Sequence, residues 1–196
     1  MRDHEPRVLL LPGIGDSAAG HWQSRWEASR PGFVRVRQRD WDAPAREDWC
    51  QTLEAALAQA GEGVVLAAHS LGCLLIAHWA MATRRQVRGA LIVAPPDPDG
   101  LAFPTTATGF APVPLRPLPF PSIVVASEDD PYASFDFAIG CARAWGGRLV
   151  SVGARGHINA DSGLGDWTQG LDLLRELGVM DGGDGRGAAP QVQGVS

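Results

Sequence analysis

A serine, two acids and a histidine stand in this sequence where acyl-transfer chemistry would need them. Ser70 lies in Ala68-His-Ser-Leu-Gly72, directly after the apolar run Val64-Val-Leu-Ala. A serine held at a sharp turn between strand and helix projects its hydroxyl from the sheet edge, and the next helix N-terminus faces the developing oxyanion. Such a turn wants small residues two places before and after the serine. Gly72 meets this, while Ala68 adds a methyl where glycine is usual. A serine hydroxyl attacks at neutral pH only beside a base, and the base needs a carboxylate to fix its tautomer. The acidic segment Ser127-Glu-Asp-Asp-Pro-Tyr offers that carboxylate. Asp130 is the first choice, because Pro131 confines it to extended geometry, and Asp129 is the alternative. The base is His157, on the glycine-flanked loop Gly153-Ala-Arg-Gly-His.

A fourth element follows the first apolar run. Leu11-Pro-Gly-Ile-Gly15 is a loop that can turn the Ile14 N–H toward a substrate carbonyl, so that Ile14 and Leu71 together supply the backbone donors of an oxyanion hole. Gly13, His21 and Trp22 are candidates for the substrate pocket, with core packing an equal alternative for Trp22. His69 is expected to point away from the site in a structural role, and His78 falls on a buried helix pattern. The glycine loop lacks the Gly-x-Gly-x-x-Gly spacing and the Lys-Ser/Thr ending of phosphate loops, which argues against a nucleotide-binding domain.

These residues need a scaffold, and the periodicity supplies one. Apolar runs at Val8–Leu11, Phe33–Val36, Val64–Ala67, Ala90–Val93, Ile123–Ala126 and Leu149–Val152 read as strands. Their continuous apolar character suits strands covered on both faces, as in a mainly parallel sheet. Helical patterns at Ser17–Ser29, Ala45–Ala60, Leu71–Thr83, Ala133–Trp145 and Leu164–Leu177 alternate with them. The fold expected is a three-layer α/β/α sandwich of about six strands. Nine prolines between Pro95 and Pro121 forbid a helix there and leave an irregular excursion too short for a cap domain. The order Ser, acid, His, each just after a strand of one parallel sheet, is that of the α/β-hydrolase fold.

Composition narrows the rest. With 196 residues, 45 % of them hydrophobic, the chain has material for one core, and residues 1–180 are expected to form a single domain. The Gly-rich segment 181–196, opening Asp181-Gly-Gly-Asp-Gly-Arg-Gly, is expected to be a disordered tail. A formal net charge of −5 and scattered basic residues make nucleic acid an unexpected partner. No run reaches the roughly 18 apolar residues of a membrane span, and the first apolar run is too short for a signal peptide, so a cytoplasmic location without membrane association is expected. Three cysteines without metal-ligand spacing, Cys50, Cys73 and Cys141, suggest small buried residues instead of disulfides or a metal site.

Several segments together carry a resemblance. Leu11-Pro-Gly-Ile-Gly, Gly20-His-Trp-Gln-Ser-Arg-Trp-Glu, Trp41-Asp-Ala-Pro, Ala68-His-Ser-Leu-Gly, Asp129-Asp-Pro-Tyr and Gly156-His-Ile-Asn-Ala-Asp-Ser-Gly-Leu-Gly-Asp-Trp look like bacterial members of the small α/β-hydrolases of the retinoblastoma-binding protein nine and YdeN type. The likeness runs from about Arg7 to Leu177. It implies a serine hydrolase with esterase-like activity on small activated esters and no cofactor, and it carries nucleophile, acid and base onto Ser70, Asp130 and His157. A small-molecule acyl substrate is the partner expected. The other class of answer is a binding protein that kept the fold and lost useful catalysis.

Overall fold

The computed structural model describes residues 7–179, so the segment expected to be a disordered tail lies outside the described residues. Six strands, β1 (Val8–Leu11), β2 (Phe33–Arg35), β3 (Val65–His69), β4 (Gly89–Val93), β5 (Ser122–Ala126) and β6 (Arg148–Ser151), form one sheet in the order β2-β1-β3-β4-β5-β6. Every pairing is parallel. The strands β1, β3, β4 and β5 are buried along their whole length, which explains their unbroken apolar runs.

The side-chain alternation of the strands divides the core in two. Leu9, Leu11, Leu66, Ala68, Ile92 and Val124 point to one face, against α2 (Arg46–Ala60), α3 (Leu71–Ala82) and α4 (Phe135–Trp145). Val8, Leu10, Val65, Ala67, Leu91, Val93, Ile123 and Val125 point to the other, against α1 (Trp22–Ser29) and α5 (Thr168–Val179). The result is the three-layer α/β/α sandwich of an α/β-hydrolase, with no cap domain among the described residues. The proline-rich stretch after β4 forms no helix and no strand beyond one isolated bridge, Ala45 to Thr108.

Two helices start later than their apolar patterns suggest. The first was expected from Ser17 but begins at Trp22, because residues 18–21 first close a turn, the His21 N–H donating to the Ala18 carbonyl at 2.9 Å, and His21 then caps the helix, its ring accepting the Gln23 N–H. The last was expected from Leu164 but begins at Thr168, because Gly165 and Trp167 (φ 58° and 40°) turn the chain first. Both delays leave loops at the carboxyl edge of the sheet. The chain steps from β1 out to β2 and returns to β3 on β1's other side, a reversal of strand order that opens a crevice at the carboxyl ends of β1 and β3.

Candidate active site

The crevice holds the sequence-predicted residues. Ser70 follows β3 with φ 53° and ψ −124°, a backbone conformation that costs a residue with a Cβ about 1–3 kcal/mol. The turn is fastened from below: the Ser70 N–H donates to the Val93 carbonyl (3.0 Å), the Cys73 N–H to the Ser70 carbonyl (2.8 Å), and the Cys73 thiol to Val93 again (3.1 Å). Gly72 lets α3 cross β1 closely, since a Cβ there would lie 2.3 Å from the Leu11 carbonyl oxygen.

From the ends of β5 and β6 come Asp130 and His157, the residues expected from the sequence to be acid and base. His157 Nδ1 lies 2.9 Å from both carboxylate oxygens of Asp130, and His157 Nε2 lies 2.8 Å from Ser70 Oγ. A carboxylate only accepts, so the proton sits on Nδ1 and Nε2 is free to accept from the serine hydroxyl. Both side chains are shielded, 8 % exposed for His157 and 5 % for Asp130. Asp129 turns elsewhere: its Oδ1 accepts from Ser127 Oγ and from the Gly156 N–H, each at 2.7 Å, and these bonds hold its carboxyl below the usual range. The Ser127 hydroxyl also accepts the Arg155 N–H at 2.8 Å, so the acidic loop and the histidine loop are laced together.

The loop after β1 passes directly over the serine. A Cβ on Gly13 would meet Ser70 Cβ at 2.8 Å and lie 3.3 Å from Leu71 N, so glycine there permits the close approach. Among the described residues the N–H groups of Ile14 and Leu71 have no acceptor, and both residues border the same cavity as Ser70. Asp16 anchors this loop by pairing with Arg35 (2.7 Å), whose nearly buried guanidinium also meets Glu27 (2.9 Å).

The cavity measures about 200 Å³. Gly13 and His21 border it as the sequence suggested, but Trp22 does not. Trp22 is buried with Trp26 and Trp167, ring centroids 4.5 and 5.0 Å away, and its indole N–H donates to the Ile158 carbonyl at 2.9 Å. The large apolar ring packs into the core and braces the histidine loop from beneath. His69 also departs from expectation: its ring borders the cavity, and its Nε2–H donates to the His157 carbonyl at 2.8 Å. Burial drives its pKa well down and keeps it neutral beside His157. His78, half-way along α3, donates to the Phe110 carbonyl at 2.9 Å, away from the serine.

The proline-rich stretch around Phe103–Phe120 was expected from sequence to carry specificity without any single residue being named, and its Phe103, Pro104 and Ala107 border the cavity, as do Tyr132 and Asn159, which sequence reasoning passed over. The Tyr132 ring lies 4.4 Å from that of His157. The signal for Tyr132 and Asn159 was their position two residues beyond Asp130 and His157; the excursion residues had none. Among the described residues no group of three or more His, Cys, Asp or Glu side chains gathers as a metal site, and no helix is long and apolar enough to cross a membrane.

A six-stranded parallel sheet with a strained serine between β3 and α3 defines a hydrolase of the α/β class. The chain belongs to the serine hydrolase family, whose model matches residues 8–176. It is similar to a crystal structure from Pectobacterium atrosepticum described as that of a putative YdeN-like hydrolase, at 35 % identity over 87 % of this chain and 89 % of that one, with TM-score 0.77. The ydeN gene product of Bacillus subtilis shares the fold at 22 % identity over 88 % and 98 % of the chains, TM-score 0.65. A thermophilic esterase from Thermogutta terrifontis does so at 16 % identity over 88 % and 90 %, TM-score 0.66. Of the two relatives in the resemblance, YdeN is the one these similarities bring out. No curated protein matches the sequence.

Proposed function

We propose that this serine hydrolase cleaves small carboxylic esters or related acyl compounds through an acyl-enzyme, with Ser70 as nucleophile, His157 as general base and acid, and Asp130 as the group that orients the imidazole. The observation that carries the reading is the unbroken relay of 2.8 and 2.9 Å contacts from Ser70 Oγ through His157 to Asp130. Similarity to an esterase fold supports the choice of ester over other acyl bonds.

In this mechanism Ser70 Oγ attacks the carbonyl carbon while its proton passes to His157 Nε2, and Asp130 stabilises the imidazolium. The carbonyl oxygen becomes an oxyanion held by the N–H groups of Ile14 and Leu71, each such donor being worth about 10²–10³ in turnover. The tetrahedral adduct collapses, the alcohol leaves with the proton from His157, and the acyl group remains on Ser70. Water then attacks, gives its proton to His157, and the acid departs as Ser70 regains its hydroxyl. Gly13 and His21 line the space in which the substrate sits.

A fluorophosphonate probe and p-nitrophenyl acetate test this directly. Wild-type protein should be labelled at Ser70, as located by mass spectrometry, and should turn over the ester, and Ser70→Ala should do neither. A folded wild-type protein that neither labels nor turns over would sink the catalytic reading in favour of a binding protein on a hydrolase fold.

A further inference from the structure

Two residues that border the cavity, His21 and Asn159, carry hydrogen-bond donors that the acyl-transfer steps do not use. His21 is 4 % exposed, and its Nδ1 accepts the Gln23 N–H at 3.1 Å. A nitrogen that accepts an amide N–H carries no proton, so the neutral ring bears its proton on Nε2. That Nε2 is buried and has no partner among the described residues, which is costly for a polar group in a cavity wall. Burial, with Arg35 and His157 nearby, lowers the His21 pKa to about 4, so the group stays a neutral donor under ordinary conditions. Asn159 is committed in the same sense: its Oδ1 accepts the Asp161 N–H at 3.0 Å, leaving the two amide hydrogens to offer.

The two residues come from adjoining segments. A Cβ on Gly20 would lie 3.8 Å from the Ala160 methyl, and Trp22 reaches the Ile158 carbonyl, so residues 20–22 pack against 158–160. Ile14, Pro96, Phe103, Pro104 and Ala107 supply the apolar part of the lining, while Asp16, His69 and Tyr132 add polar groups to it.

We infer that His21 Nε2–H and the Asn159 amide form a donor pair for a non-reacting oxygen of the substrate. The enzyme then selects short esters bearing an ether, hydroxyl or carbonyl oxygen near the scissile group over their hydrocarbon isosteres. This rests on the reading of Ser70 as nucleophile, because the oxygen is defined relative to the ester that Ser70 attacks.

Two isosteric pairs test it, differing only by oxygen in place of a methylene: p-nitrophenyl methoxyacetate against p-nitrophenyl butyrate on the acyl side, and 2-methoxyethyl acetate against butyl acetate on the alcohol side. His21→Asn keeps a cap acceptor for the Gln23 N–H and removes the ring donor, and Asn159→Asp keeps the acceptor for Asp161 and removes both amide hydrogens. The kcat/KM ratio of each pair, compared between wild type and variant, cancels the intrinsic reactivity of the esters. In at least one pair the preference for oxygen should fall about five- to tenfold in either variant, the scale of one hydrogen bond. Unchanged ratios in both pairs, in His21→Asn shown to be folded by its thermal transition, overturn the inference, and that variant decides alone if Asn159→Asp does not fold. Absence of both turnover and fluorophosphonate labelling in the wild type would instead sink the Ser70 reading, and this inference with it.

Discussion

Asp129 and Asp130 are neighbours with different duties. Asp130 places both oxygens on His157 Nδ1, whereas Asp129 accepts from the Ser127 hydroxyl and from the Gly156 backbone N–H. An amide at position 130 would present the imidazole with a group that favours the wrong tautomer, so Asp130→Asn should lower kcat on p-nitrophenyl acetate by about 10⁴, the scale of the same change in a serine protease triad. Asp129→Asn retains an oxygen for the Gly156 N–H and should lose far less; the reverse ranking would move the acid to Asp129. The places of Ser70 and His157 in the fold were legible because each follows an apolar run in the order one fold uses. From the residues themselves the choice between the two acids rested on Pro131, since alternation cannot be read through a loop, and only the family resemblance added to it. The donors of His21 and Asn159 were illegible for another reason: which atom remains free depends on what the other atom of the same side chain has already bonded.

Helix α3 and strand β1 touch backbone to backbone at Gly72, and this contact fixes where the serine sits. Gly72→Ala should destabilise the fold by about 1–3 kcal/mol or more, because the obstructing atom is the Leu11 carbonyl oxygen and backbone cannot rotate aside. Gly140 is the contrast: it is exposed inside α4, and a Cβ there meets nothing within 4 Å. Gly140→Ala should raise stability by about 0.4–1 kcal/mol through lost freedom of the unfolded chain. Thermal unfolding of the two variants should move in opposite directions. At this scale the strands were read from sequence to within a residue or two, because fully buried strands have no polar alternation to confuse the pattern. The starts of α1 and α5 were not, since neither the turn that His21 closes onto Ala18 nor the positive φ of Trp167 is marked by residue type.

The molecule as a whole buries two histidines that it keeps uncharged. Burial lowers His21 to about 4 and His69 well below its ordinary value, whereas the unfolded chain titrates both near 6.5. Between those values the unfolded state binds protons that the native state refuses, so stability rises with pH through this window and is lost as pH falls from about 6.5 toward 4. For His21 the full loss is about 3 kcal/mol. The urea midpoint should therefore drop between pH 7 and pH 5, and less steeply in His21→Asn; equal slopes would mean that His21 takes up its proton in the native state as readily as in the unfolded chain. The sheet itself is unevenly held. Its centre is sealed by helices, whereas β6 is a four-residue strand at the edge, paired only with β5 and partly open to solvent, and the loop it launches carries His157. Edge elements open at lower free energy than the body of a domain. On the proposed mechanism chemical competence is thus decided at the rim: a brief detachment of one short strand would silence the molecule while nearly all of it stayed folded.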